Sequence, residues 1–350
     1  MSLINDIKEF ASSKGVQLIA MTGVEAYGDY LAEVRSRIKD TGAGFEDFMN
    51  AQVVNMSGSQ DMAFFTQISD ARKNLPTAKS IIVLGVYGYD ENAIYKNTRR
   101  ELLGKTARIY SYYPVIRQIA ESIVSFIKDH GHRAIQGQHI PLKFAADRIG
   151  LGVYGKNGIL QTAQYGSYVA LRNVLTEAEL APDKFEINST PCDECEKCIK
   201  ACPTGALYAP YKVNPRLCIN PITRRDKYIE PRIRSKMQNW IIGCDICQEV
   251  CPANRNLNPR QMDSRSGFDP KHHASHKYLD GIEKTPDLIS LLDTGISEII
   301  RRNAAIALAN TGKGRKEAVV ALNEQLCNVS PGLKEYFVWA IEKIKKNEVV

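Results

Sequence analysis

Nowhere in the 350 residues do 18 apolar residues run without interruption, so no helix is built to cross a bilayer. The opening, Met1-Ser2-Leu3-Ile4-Asn5-Asp6, lacks the basic and apolar regions of a secretory signal, and no twin-arginine pair opens the chain. The expected compartment is the cytoplasm. Low-complexity stretches and long linkers are missing as well, so the parts are expected to pack as one body, and as a monomer. Both nucleotide fingerprints fail. The glycines of residues 149–159 lack the four-residue gap of a phosphate loop, and no Gly-x-Gly-x-x-Gly follows a strand and opens a helix with an acid downstream. What remains is ordinary: 44% hydrophobic and 24% charged residues suit two or three soluble domains, and a net charge of +7 permits an anionic partner without demanding one.

Cysteine is the exception. Eight of the nine fall between Cys192 and Cys251, leaving Cys327 alone. A disulfide framework does not suit a long chain in a reducing compartment, so the cluster points to metal. The first run, Cys192-x2-Cys195-x2-Cys198-x3-Cys202-Pro203, has the bacterial ferredoxin spacing, in which three cysteines wrap one 4Fe–4S cube and the fourth ligates another. The second, Cys244-x2-Cys247-x3-Cys251-Pro252, repeats it with Ile241 in place of the first member, a vacancy that Cys218 can fill. Crossing the fourth members gives Cys192, Cys195, Cys198 and Cys251 for one cube, and Cys202, Cys218, Cys244 and Cys247 for the other. Structural zinc, the alternative, prefers paired C-x2-C knuckles, whereas a three-residue gap followed by proline occurs here twice. Cys327 reads as a small buried apolar residue in a helix.

Helix and strand are mixed through residues 1–185, as an α+β or α/β domain requires. The spacing of Leu3, Ile4, Ile7, Phe10 and Ala11 predicts an opening helix, and residues 1–80 read as mostly helical. Residues 80–89, 134–135 and 168–175 read as strands. Pro114 opens a helix that Gly131 stops. Residues 186–258 form the expected two-cluster, ferredoxin-like domain. Residues 259–350 form a helical one, with segments at 299–310, 315–327 and 333–345 that look like HEAT-type pairs.

The segment Ile149-Gly-Leu-Gly-Val-Tyr-Gly-Lys-Asn-Gly-Ile159 reads either as structural turns or as a loop whose bare backbone approaches a large, flat or anionic ligand, with Lys156 and Asn157 as polar contacts. Gly-Leu-Gly-x-x-Gly-Lys-Asn (150–157), Tyr165-Gly166-Ser167, the two cysteine runs with Cys218 between them, Asn239-Trp240, and the C-terminal Arg302-Asn303-Ala304-Ala305 segment together resemble epoxyqueuosine reductase, in that order along the chain. The resemblance implies base-off cobalamin in the N-terminal domain, fed single electrons through two clusters by a low-potential ferredoxin- or flavodoxin-type donor, and a substrate carried on tRNA. The same core occurs in reductive dehalogenases. By the same resemblance Gly152, Tyr154, Gly155, Lys156, Asn157 and Gly158 are the cofactor-binding candidates.

Three departures stand out. Three residues before Pro141, where the family has a catalytic Asp, stands Gln138, whose amide cannot act as a general acid; the adjacent His139 could. The family's Asp-Tyr-His element is replaced by Tyr112-Tyr113-Pro114, which leaves Tyr113 as a second proton-donor candidate, and Ile-Asn-Pro-Ile-Thr follows Cys218. Other candidates have plainer readings: Asp147 with Arg148 as a helix-face ion pair, His272, His273 and His276 as a solvated loop, and Arg224, Arg225, Arg232, Arg234 and Lys236 as solvated cations or phosphate contacts. The combined expectation is a cobalamin-dependent iron–sulfur reductase with epoxyqueuosine in tRNA as leading substrate. The alternatives are reductive removal of halogen from a small molecule, or an electron-transfer protein that reduces a partner's corrinoid.

Overall fold

The computed structural model describes residues 2–42, 69–89, 102–137, 140–186, 192–258, 287–311 and 315–346. In chain order the N-terminal part holds α1 (Leu3–Ser13), β1 (Leu18–Thr22), α2 (Gly28–Thr41), β2 (Ser80–Tyr87), β3 (Lys105–Thr106), α3 (Tyr113–Asp129), β4 (Ala134–Gln136), α4 (Leu142–Arg148), β5 (Val153–Tyr154), β6 (Leu160–Gln161) and β7 (Val169–Thr176). A four-stranded sheet has the order β1-β2-β7-β4, and each neighbouring pair is antiparallel. This makes the class α+β.

All eight residues of β2 are buried, because the strand is covered on both faces. Ile81 and Val83 meet the side packed by Tyr30 and Val34 of α2 and Ala145 and Ala146 of α4. Ile82 and Leu84 meet Ile7 and Ala11 of α1 and the Ile116, Ile119 and Ile123 stripe of α3. Each of those isoleucines contributes about 1.5–3 kcal/mol by leaving water. Pro114 sits in the first turn of α3, where a missing N–H costs nothing. At the other end Gly131 and His132 donate to the Lys128 and Ile127 carbonyls and close the helix. Among the described residues of 1–80, α1 and α2 agree with the mostly helical reading and the strand β1 between them departs from it.

The cysteine region contains α5 (Lys197–Ala201), β8 (Leu207–Ala209), β9 (Lys212–Val213), α6 (Ile219–Ile222), α7 (Pro231–Arg234), β10 (Trp240–Ile242) and α8 (Ile246–Glu249). The C-terminal helices are α9 (Glu298–Thr311), α10 (Arg315–Gln325) and α11 (Pro331–Lys346). A third core joins these two parts: Ile306, Leu308, Phe337 and Ile341 pack with Ile219, Ile222, Trp240, Ile241 and Ile242. The helix after Cys218 and the strand before Cys244 are therefore seated on the C-terminal helices. Cys327 is exposed in a short 3-10 turn, Leu326–Asn328, not buried in a helix, because the chain leaves α10 there toward solvent.

Candidate metal centre

The two cysteine runs share one local plan. Each ends a short helix, α5 or α8, with a cysteine that precedes proline, and proline forces the residue before it out of the helical region. Cys202 (φ −68°, ψ 109°) and Cys251 (φ −73°, ψ 125°) are both extended, so each leaves its own helix. Cys251 lines one small cavity with Cys192, Cys195 and Cys198, together with Lys156, Asn157, Gln161 and Pro252.

Polar side chains fix the walls of this first group. Lys156 Nζ donates to the Asp193 carbonyl at 2.9 Å, and the buried Asn157 accepts from the Ile159 N–H at 3.1 Å. Gln161 is buried with its Oε1 4.0 Å from Cys251 Sγ, while its Nε2 has no partner among the described residues. A second network holds the turn after Cys251: Asn254 accepts from Ser167 N–H at 2.9 Å and donates to Ser167 Oγ at 2.9 Å and to the Gln248 carbonyl at 2.8 Å. A Cβ on Gly166 would lie 2.1 Å from Asn254 Oδ1, so the Tyr165-Gly166-Ser167 segment clamps the second cysteine run.

The other four cysteines of this region, expected to make the second group, are Cys202, Cys218, Cys244 and Cys247. Cys202 and Cys218 raise the Cys244 thiol, and Cys244 and Cys218 raise that of Cys247, to which Cys198 also contributes. Burial is the largest cause for each. It pushes Cys218 to about 11 and Cys244 and Cys247 well above the ordinary thiol range. Cys202, Cys218, Cys244 and Cys247 are each half-buried. Burial also raises Cys198 and Cys251 in the first group. Iron must displace these protons, since the thiolate is the ligand.

Between Cys244 and Cys247 lies Asp245, wholly buried. Burial pushes its carboxyl up to about 6 against the opposing pull of Arg108. Arg108 donates to it through its backbone N–H at 2.9 Å and its guanidinium at 3.2 Å, and Gln248 Nε2 donates at 2.8 Å. Gly243, immediately before Cys244, has φ +72°, and a Cβ there would lie 2.6 Å from both Ala107 and Tyr110, so only glycine suits the turn.

Among the described residues no three His, Cys, Asp or Glu side chains converge on a single-ion site. A cube holds its thiolates at separate iron corners, farther apart than the ligands of one tetrahedral zinc, and an all-thiol donor set suits it. The glycine-rich loop fits a corrinoid less well. It forms the β5–β6 hairpin, and a Cβ on Gly152 would meet the Gln161 carbonyl at 2.7 Å, while one on Gly155 would meet Gln161 Nε2 at 2.9 Å. The bare backbone is filled by its own hairpin, and Lys156 and Asn157 face the first cysteine group. Tyr154 packs edge-on to Phe144 at 5.2 Å, and Gly158 accepts from Lys143 Nζ at 2.8 Å.

Tyr113 opens α3, edge-on to Tyr110 at 5.6 Å. Burial raises its phenol, which feels Arg224 and Arg172. The Tyr110 hydroxyl donates to Asn220 in α6 at 2.6 Å, which ties this aromatic pair to the helix after Cys218. Gln138, His139, His272, His273 and His276 lie outside the described residues. Asp147 and Arg148 do not pair as a helix face would allow. Asp147 accepts from Tyr154 N–H at 3.2 Å, whereas Arg148 lies over the Tyr27 ring at 4.0 Å and donates to the Glu25 carbonyl at 3.2 Å. Arg224, Arg225 and Arg234 are buried, which removes them from any phosphate-binding surface; Arg232 and Lys236 are exposed. Sequence reasoning missed Gln161, Lys143, Arg108 and Asn254, because single polar residues in apolar surroundings carry no spacing signal.

An α+β domain joined to two groups of four cysteines defines a double-cluster iron–sulfur protein, and residues 191–254 match the family described as a 4Fe-4S double cluster binding domain. The epoxyqueuosine reductase of Synechocystis is 30% identical over 60% of this chain and 74% of its own length, and that of Lactococcus garvieae is 28% identical over 98% and 97%. A solved epoxyqueuosine reductase from Bacillus subtilis, with its catalytic aspartate loop swung out of the active site, superposes with a TM-score of 0.78 at 26% identity, covering 98% of this chain and 90% of that one. An epoxyqueuosine reductase solved with an epoxyqueuosine-modified tRNA stem loop gives 0.75 at 26% identity, with the same coverage. The chain belongs to the epoxyqueuosine reductase family and is an oxidoreductase.

Proposed function

We propose that the protein reduces epoxyqueuosine in tRNA, with Cys192, Cys195, Cys198 and Cys251 holding one 4Fe–4S cluster and Cys202, Cys218, Cys244 and Cys247 the other. The observation that supports it most is the gathering of Cys192, Cys195 and Cys198 around one small cavity with Cys251, which comes from a distant part of the chain. Removing an epoxide oxygen to leave an alkene takes two electrons and two protons and releases water. Two one-electron clusters fed by an external low-potential donor suit that demand. A corrinoid, when bound, would supply a cobalt centre able to exchange electrons with the substrate carbon. It is proposed on family resemblance, and no step is assigned through the glycine-rich loop, which its own hairpin fills.

The chain's own task is to enclose the second thiol group and to supply a proton. Tyr113, like any phenol, carries its O–H at neutral pH, and burial raises its pKa further against the opposing fields of Arg224 and Arg172. His139 is the other proton-donor candidate, because Gln138 stands where the family has its acid. That replacement also favours a second reading, an electron-transfer protein that reduces a partner's corrinoid.

Anaerobic reconstitution with iron, sulfide and cobalamin, followed by turnover on epoxyqueuosine-modified tRNA, tests the proposal. About eight irons per chain, a retained corrinoid spectrum and conversion to queuosine are expected. Fewer than about seven irons would overturn the two-cluster assignment. Full loading without conversion would leave the electron-transfer reading.

A further inference from the structure

Cys218 and Cys244 are brought together from separate segments, one at the start of α6 and the other just after β10. Two buried side chains stitch those segments. Thr223, fully buried at the end of α6, accepts from the Gly243 N–H at 2.8 Å through its hydroxyl, which donates in turn to the Asn220 carbonyl at 2.8 Å. Asn303 of α9, also fully buried, donates its amide to the Thr223 carbonyl at 2.7 Å and the Ile241 carbonyl at 2.8 Å. Two carbonyl acceptors fix which end of the amide is nitrogen. Its oxygen accepts from the Arg302 guanidinium at 3.1 Å, and that guanidinium also donates to the carbonyls of Ile222 and Arg225 at 3.2 and 2.7 Å. Each of these polar groups is satisfied only while α6, β10 and α9 keep their mutual distances.

Among the described residues no such tie joins the first cysteine group to the C-terminal helices. Its distant member, Cys251, is held through Asn254, Ser167 and Gln248.

We infer that Thr223 and Asn303 are positioning residues for the second cluster, setting the separation of Cys218 and Cys244, so that the C-terminal helical segment governs one cluster and not the other. The inference rests on the ligand sets proposed above. An unmet buried donor or acceptor is expensive enough to let the segments drift, and a cube tolerates little drift between its corners.

The test uses the full-length chain, reconstituted anaerobically, with iron content and an EPR-monitored redox titration as readouts. Wild type should hold about eight irons and two clusters. Thr223→Val keeps the side-chain shape but removes the hydroxyl, and Asn303→Ala removes the amide. Each should lose the second cluster, falling to about four irons, or shift its midpoint potential while the first cluster's signal and potential stay unchanged. Thr223→Ser restores the hydroxyl and should restore wild-type behaviour. The intact first cluster reports that the chain is folded. Both clusters present at wild-type potentials in Thr223→Val and Asn303→Ala would overturn the inference, and so would equal loss of both clusters with no rescue by Thr223→Ser. If wild type itself held fewer than about seven irons, the ligand assignment would fall first and the inference with it.

Discussion

The two cysteine groups are built in opposite ways. The first is mostly one loop: three of its four thiols lie within seven consecutive positions, and its walls are the β5–β6 hairpin and the turn after Cys251. The second draws its thiols from the end of α5, the start of α6, and the residues on either side of Asp245, and it leans on the third core and the C-terminal helices. Local sequence makes the first group; tertiary packing makes the second. The second group should therefore be the more sensitive to substitutions far from any cysteine.

The largest effect should come from exchanging the crossing members. Cys251→Ser should remove the first cluster although the residue lies in the second run, and Cys202→Ser should remove the second. EPR of the reduced protein would identify which signal remains in each variant, and loss of the cluster nearest in sequence would break the comparison.

Next in size is the Arg108–Asp245 pair, which sits beside Cys244 and reaches the wall of the first group through Gln248. Arg108→Met leaves a buried carboxylate without its cation and should destabilise the fold by about 3–5 kcal/mol, measured by denaturant unfolding. Cluster loss on partial unfolding should begin with the second cluster.

A smaller, pH-dependent effect belongs to Lys143, whose ammonium is depressed from 10.5 to about 8, chiefly by burial. Below pH 8 the side chain is charged in both folded and unfolded chains, and the fold carries the desolvation cost. As pH rises from about 8 to 10.5 the unfolded chain binds more protons than the folded one at this group, so its contribution raises stability, by at most about 3 kcal/mol. Lys143→Met should flatten that limb of the stability profile relative to wild type, and identical profiles would contradict the shift. Smallest is Lys156→Ala, which removes a cation from the wall of the first pocket. The first cluster's potential should fall while the second stays where it was, because net charge near a cluster tunes its potential.

Much of this was legible in advance. Periodicity marks α1 and α3 because one apolar stripe must meet the sheet, and β2 is readable because burial on both faces leaves no polar position in its middle. Cysteine spacing and the two Cys-Pro steps point to metal, since proline dictates that the fourth thiol turns away. The antiparallel order β1-β2-β7-β4 was not legible, because pairing between strands far apart in sequence depends on long-range contacts. Nor was the burial of Arg224, Arg225 and Arg234: a run of cations looks solvated until backbone carbonyls and aromatic rings are seen around it. The glycine-rich loop looked like a ligand cradle, yet Gly152 and Gly155 are closed over by Gln161, a residue with no motif to announce it.

The most direct measurement is iron per chain in anaerobically reconstituted Cys218→Ser beside Cys327→Ser. Cys218 is the isolated cysteine assigned to the second cluster, and Cys327 is exposed and assigned to neither. The account predicts about four irons in the first variant and about eight in the second. Eight irons in Cys218→Ser would contradict it.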